Sequence, residues 1–290
     1  NLLSHAGMDY VDDHFYVDHY QFPTGGWDYF DWRIRDSSVV STEMFTLTGL
    51  ARYRDIRRPY VVSEYNQAFP NRRGAEIIPT VATFAAAQDW DGLFFFDFVD
   101  GDNWTTAPSG FRLNGDWPKL VLVGQSAKLY RTGQVRPAIG SAIGAMSQAA
   151  IAEIAALRKR ERRGLPDTPP SGWELEKSYV QRMGITIDGT SVAAVAAPTS
   201  GSAEVRYLKE DGQLRIVTPT LVGVAGRMHP GQKIDLDRFS LEVLDPVRDH
   251  ATVFISPVDD VPIEQSRRFL VAVPGQIFGS QPGSAPVRPK

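Results

Sequence analysis

Three times between residues 8 and 131, a short apolar stretch leads through a loop into a segment with helical spacing. Residues 8–16 read as a strand, and residues 17–35 as a long aromatic loop. Over residues 41–55, Met44, Phe45, Leu47, Leu50 and Ala51 recur at the period of a helix. That helix closes on Arg57 and Arg58, charges suited to a helix C-terminus, before Pro59 stops it. Residues 60–64 are the second apolar strand, 66–74 a loop and 76–88 an Ala-rich helix. Residues 92–98 form the third strand, and Pro118, at a position proline tolerates, opens a helix over 119–131. Strand, loop and helix in this order predict parallel β/α units.

From residue 179 the pattern becomes all β. Candidate strands at 185–187, 192–196, 203–208, 214–217, 222–225, 239–244, 251–256 and 268–273 are separated by turns such as Asp188-Gly189 and Asp211-Gly212. This spacing predicts a sandwich. Composition changes with the pattern: of 31 Phe, Trp and Tyr residues, 23 fall within residues 1–117. The expected organisation is therefore an α/β part over 1–138, a helical and Pro-rich linker over 139–172, a β-sandwich over 173–278 and a mobile tail over 279–290. The basic cluster from Arg158 to Arg163 reads as a solvated helix end.

Several functions fall away on composition. A net charge of −3 and a pI near 6.0 give no electrostatic footprint for nucleic acid. The absence of cysteine excludes disulfides, thiolate metal sites and a Cys nucleophile. No apolar run reaches the roughly 20 residues of a membrane-spanning helix.

In β/α barrels the chemistry sits where strands end. The second strand ends in Ser63-Glu64-Tyr65-Asn66, so a carboxylate directly follows an apolar run. The first carries His14 and Tyr16 on one face, at the two-residue period of a strand. Asp13, His14, Asp18 and His19 are an alternative set of oxygen and nitrogen ligands for a divalent metal, the basis of a metal-dependent hydrolase. In the aromatic loop, Trp27 and Trp32 are candidate platforms for a sugar ring, because tryptophan joins a large flat face to a polar handle. The third strand leads into Asp97 within an aromatic run, then into Trp104. Asp97 needs a partner if buried, and the Asp100, Asp102 and Asn103 group reads as a turn.

Together these strand ends resemble the last three units of a clan-A glycoside hydrolase barrel. The carriers are Pro59-Tyr60-Val61-Val62-Ser63-Glu64-Tyr65-Asn66, the His14-x-Tyr16 pair and the run Gln88-Asp89-Trp90-Asp91-Gly92-Leu93-Phe94-Phe95-Phe96. The likeness covers residues 8–135 and implies the last three units of a TIM (β/α)8 barrel followed by an all-β sandwich. It implies a retaining β-glycosidase, of bacterial polysaccharide-degrading type, that needs no cofactor. Glu64 would be the nucleophile, held by Tyr16 or His14, and His14, Tyr16, Trp27, Trp32, Asn66, Asp97 and Trp104 would contact a carbohydrate substrate. Many members carry Trp at the eighth strand's end, where this chain has Phe96 and Asp97. The clan's general acid/base lies on the fourth strand, which would precede Asn1, and three strands cannot close an eight-stranded barrel. The resemblance thus implies a missing N-terminal barrel segment, in the same polypeptide or another chain, and favours a secreted or periplasmic enzyme. A non-catalytic carbohydrate-binding protein is the remaining alternative.

Overall fold

The computed structural model describes residues 6–28, 30–99, 110–161, 174–197, 204–244 and 249–275. The Pro-rich join at 164–172, the tail at 279–290, and Asp100, Asp102, Asn103 and Trp104 lie outside them.

The first lobe is built on three parallel strands, β1 (Val11–Val17), β2 (Tyr60–Gln67) and β3 (Gly92–Phe95), with β2 in the middle. Helices α1 (Met44–Arg52), α2 (Ile77–Gln88) and α3 (Trp117–Arg131) follow them in turn. One sheet face is packed: Val11, Phe15 and Val17 of β1, and Tyr60, Val62 and Tyr65 of β2, join the core with Leu47, Phe84 and Leu122 from the helices. Every residue of α2 is buried, which matches a sequence apolar on all sides. Pro79 costs this helix little, because the first-turn N–H groups have no intrahelical partner. The opposite sheet face is open and carries Asp12, His14, Tyr16, Ser63, Glu64 and Phe94, the last 59% exposed.

The second lobe is a five-stranded antiparallel sheet in the order β12-β11-β8-β7-β6. Its strands are β6 (Val205–Leu208), β7 (Gln213–Thr218), β8 (Leu221–Arg227), β11 (His250–Pro257) and β12 (Phe269–Ala272). A two-stranded ribbon, β9 (Lys233–Leu236) and β10 (Phe239–Glu242), packs Ile234 and Leu236 against Val222, Val224 and Ile255. Gly226 holds φ +114°, and a Cβ there would fall 2.2 Å from the Gly212 carbonyl, so only glycine fits where β8 passes β7.

Two findings depart from the sequence expectation. Residues 140–145, assigned to a helical linker, form strand β4 (Gly140–Ala145), parallel to β5 (Gln181–Thr186), with helix α4 (Gln148–Glu161) between them. Pairing of Gly-Ser-Ala-Ile-Gly-Ala with β5 overrides its weak local propensity. The range 192–196 contributes one antiparallel bridge, Val195 to Ser141, instead of a strand.

The lobes are joined by one core, which runs from Phe84 and Leu122 to Val205, Leu214 and Phe254. Buried Gln88 at the end of α2 donates to the carbonyls of Ser178 (2.7 Å) and Gln181 (2.9 Å) and accepts from the Met183 N–H (2.9 Å). Gln125 of α3 donates to Ser256 of β11 at 2.9 Å, and the Tyr207 hydroxyl to the Val40 carbonyl at 3.2 Å.

Glu76 sits fully buried beside this junction, accepting from the Ser38 hydroxyl and from the Val40 N–H at 3.4 Å. Burial pushes its carboxyl up to about 7, against the pull of Ser38, Val40 and Arg73 toward ionisation. The folded value exceeds the unfolded value of 4.5, so the stability linked to Glu76 is complete below that pH and is lost as pH rises through 7. By linkage the loss is on the order of 3 kcal/mol. Urea unfolding of Glu76→Gln and the wild type should therefore show the variant gaining about that much, relative to the parent, between about pH 4 and pH 8. A pH-independent difference would mean that Glu76 is ionised in the folded protein like an ordinary glutamate.

Candidate active site on the open sheet face

The site depends on an irregularity in β2. Opposite β1 the register steps from Asp13↔Val62 to His14↔Glu64, and opposite β3 from Val62↔Leu93 to Tyr65↔Phe95. Both neighbours thus skip one residue of β2, the mark of a β-bulge at Ser63 and Glu64. Strict alternation would send Glu64 to the packed side with Val62. The extra residue re-phases the strand, so Ser63 and Glu64 are both half-buried on the open face while Tyr65 returns to the core.

A bulge leaves backbone groups without ladder partners, and Asp12 supplies one. Its carboxylate accepts the Ser63 N–H at 3.0 Å and the Ser63 hydroxyl at 2.7 Å. His14 turns Nε2 toward Ser63 Oγ at 3.1 Å and Nδ1 toward Glu64 Oε2 at 3.3 Å. The Tyr16 hydroxyl donates to the same Glu64 oxygen at 2.6 Å. Burial, reinforced by that bond and by the charges of Glu64 and Asp97, raises the Tyr16 hydroxyl well above the usual tyrosine range. Tyr16 therefore remains a neutral donor at physiological pH. The arrangement gives a half-buried carboxylate one oxygen hydrogen-bonded by Tyr16 and faced by His14.

Aromatic rings extend from this point in two branches. Tyr16 meets Phe111 at 5.0 Å between centroids, Phe111 meets His19 at 5.3 Å, and His19 meets Trp27 at 5.7 Å. The other branch runs from Phe111 to Tyr20 at 5.6 Å and on to Trp32 at 5.0 Å. Trp27 is 59% exposed and Trp32 38%, so each keeps a free surface while its neighbours set its position.

The other sequence candidates have different placements. Asn66 is fully buried: its amide donates to the Phe96 and Phe111 carbonyls, and its oxygen accepts the Gln67 N–H at 2.6 Å. It supports the site from below. Asp97 lies where its charge reaches Tyr16, and its backbone pairs with Phe111 and Leu113. Trp104 falls outside the described residues. The four proposed metal ligands do not converge: Asp13 accepts from the Tyr60 hydroxyl at 2.8 Å, Asp18 accepts from the Arg35 and Ser37 N–H groups, and His19 stacks among aromatic rings. Among the described residues, no group of three His, Asp or Glu side chains is placed to hold a metal ion.

Asp12, Ser63 and Phe111 were not picked out by sequence reasoning. Asp12 and Ser63 matter only through the bulge, which has no local signature, and Phe111 is a single aromatic flanked by Gly110 and Arg112.

Comparison with protein-family models, with curated proteins and with solved structures gave no match for this chain. The functional reading therefore rests on the site's own geometry.

Replacing Asp12 by Ala strands the Ser63 N–H and leaves the hydroxyl with His14 alone. A cost of roughly 1–2 kcal/mol is expected in urea unfolding, given the partial exposure of the pair. Asp12→Asn, which keeps an acceptor, should lose less; equal stability of all three proteins would show that the bulge stands without this carboxylate.

Proposed function

We propose that this chain carries the nucleophile side of a retaining glycoside hydrolase, with Glu64 attacking the anomeric carbon of a β-linked sugar. The observation that carries the reading is the 2.6 Å hydrogen bond from Tyr16 to a half-buried carboxylate that a bulge turns onto an open sheet face. A nucleophilic carboxylate needs one oxygen held and the other free to bond to carbon. Tyr16 and His14 both engage Oε2, which leaves Oε1 for attack.

In a double displacement the Glu64 oxygen forms an ester to the anomeric carbon as the glycosidic C–O bond breaks, and a second carboxyl protonates the departing oxygen. Water activated by that second group then releases the sugar and regenerates Glu64. The two carboxyl groups stand about 5–5.5 Å apart in such enzymes. In this proposal the second belongs to a further β/α segment, in the same polypeptide or another chain, that closes over the open face. Two features support it: the free outer edges of β1 and β3 among the described strands and the exposed Phe94.

Glu64→Gln preserves shape and accepts the same hydrogen bonds but cannot form a stable glycosyl ester. In the completed enzyme, turnover should fall by orders of magnitude while substrate binding persists. A mechanism-based fluorosugar should label the parent at Glu64 and leave the variant unmodified; a label on another carboxylate would remove Glu64 from this role.

Trp27→Ala should weaken oligosaccharide affinity by roughly 0.5–1.5 kcal/mol, the scale of an aromatic contact, with little change in melting temperature. Intact affinity with a large fall in melting temperature would make Trp27 a packing residue.

A further inference from the structure

His250, the first residue of β11 in the second lobe, reaches into the foot of the aromatic loop. Its Nε2 stands 3.0 Å from Ser41 Oγ, and its Nδ1 stands 3.1 Å from Arg73 Nε and 2.8 Å from Asp249 Oδ1. The ring is almost fully buried. Serine, imidazole and carboxylate in line have the order of a hydrolytic triad, but the surroundings oppose one. The Ser41 N–H already donates to Ser38 Oγ at 2.9 Å, and the Thr42 and Glu43 N–H groups both donate to the Ser38 carbonyl. The N–H groups of Ser41, Thr42 and Glu43 are thus taken up within the turn and do not face an oxyanion. A guanidinium N–H also points at Nδ1, where a triad would need a ring N–H aimed at Asp249.

The contacts form instead a chain of attachment into the loop. Arg73 bonds the Asp36 carbonyl and stands 3.2 Å from the Asp36 carboxylate. That carboxylate also accepts the Arg72 N–H at 2.6 Å. Next to Asp36, the Ser37 N–H donates to Asp18 at 3.2 Å, and the Ser37 carbonyl accepts from Gln67 and Asn71. Above this foot, Gln21 and Arg33 exchange two backbone bonds of 2.9 Å and close the loop that presents Trp27 and Trp32.

We propose that His250 is a positioning residue by which the β-sheet lobe holds the aromatic loop beside Glu64, and that protonation of His250 loosens the hold. The inference rests on the reading of that loop as the substrate-binding loop. The chemistry lies at Nδ1. A neutral ring accepts the Arg73 N–H there; a protonated ring cannot, and it sets two cations 3.1 Å apart. Nδ1–H then donates to Asp249, already 2.8 Å away, and Arg73, the side chain that grips Asp36, loses its acceptor and must shift. The groups facing the ring are Ser41 from the segment before α1, Arg73 from the turn before α2, Asp249 beside it and Arg227 of β8, with Asp36 and Glu76 around Arg73. Burial, Arg73 and Arg227 keep His250 below the ordinary histidine value, and Asp249 opposes them. Release is therefore expected on the acid side of about pH 6.5.

The test is amide hydrogen exchange on the full chain, read at Gln21, Arg33 and Ser37 and corrected for the intrinsic pH dependence. At about pH 7.5, His250→Ala should raise exchange at these three amides about tenfold and leave the amides of β1 and β2 unchanged. Lowering the pH to about 5 should produce a similar rise in the wild type. His250→Asn places an acceptor where Nδ1 was and has no proton to gain. It should restore protection at neutral pH and show no acid step. Glu76→Gln, which removes the neighbouring titration, should keep the step. Unchanged loop exchange in His250→Ala, an equal acid step in His250→Asn, or a rise spread evenly over both lobes would each overturn the proposal. These readouts need no substrate: normal loop behaviour with no fluorosugar label at Glu64 would sink the glycosidase reading alone.

Discussion

The Asp12 carboxylate holding the Ser63 bulge is the interaction on which the site depends. Without the extra residue, β2 would alternate regularly and Glu64 would face the helices alongside Val62. There its charge would be buried among Leu47, Phe84 and their neighbours, at a cost of several kcal/mol. With it, Glu64 lies opposite His14 on the open face and within reach of Tyr16. A local departure from ladder geometry thus decides whether this carboxylate is buried in the core or presented on the open face. The departure persists because a neighbouring strand satisfies the groups it leaves unpaired.

Rigidity around Glu64 has a second source beneath the end of β2. α3 sends Lys119, 1% exposed, under the end of β2, where its ammonium meets Asp116 at 2.8 Å and the Gln67 carbonyl. Gly74 leaves room for that side chain: a Cβ would sit 3.2 Å from Lys119 Cε. Gln67 in turn holds the Ser37 carbonyl at the foot of the aromatic loop. The strand end that carries the carboxylate and the loop that carries the tryptophans therefore share supports, and a shift of either would be felt by the other.

Much of the frame was legible along the chain. The apolar run Tyr60-Val61-Val62, the all-round apolar Ile77–Gln88 and the Pro118 start each declare their element locally, and all three strands lie parallel as their order predicts. Glu64 was legible for the same reason, as the first carboxylate after an apolar strand. Lys233–Leu236 was missed because two apolar residues in four are too few to show a period. Gly140–Ala145 was misread because glycine and alanine carry little strand signal and pairing with β5 decides the outcome. Asn66, expected to contact the substrate, is fully buried and spends its amide on two carbonyls beneath it.

The sequence by itself determined the β/α order of the first lobe, the β character of the second, and the pairing of His14 and Tyr16 on one face. These follow from periods of 3.6 and 2 residues, which are local properties of the chain. Only the tertiary structure decided that Glu64 joins them, that Phe111 links Tyr16 to both tryptophans, and that His250 reaches the loop foot from more than 200 residues away. Bulges, ring contacts and lobe junctions depend on which segments meet, and no local period encodes the meeting.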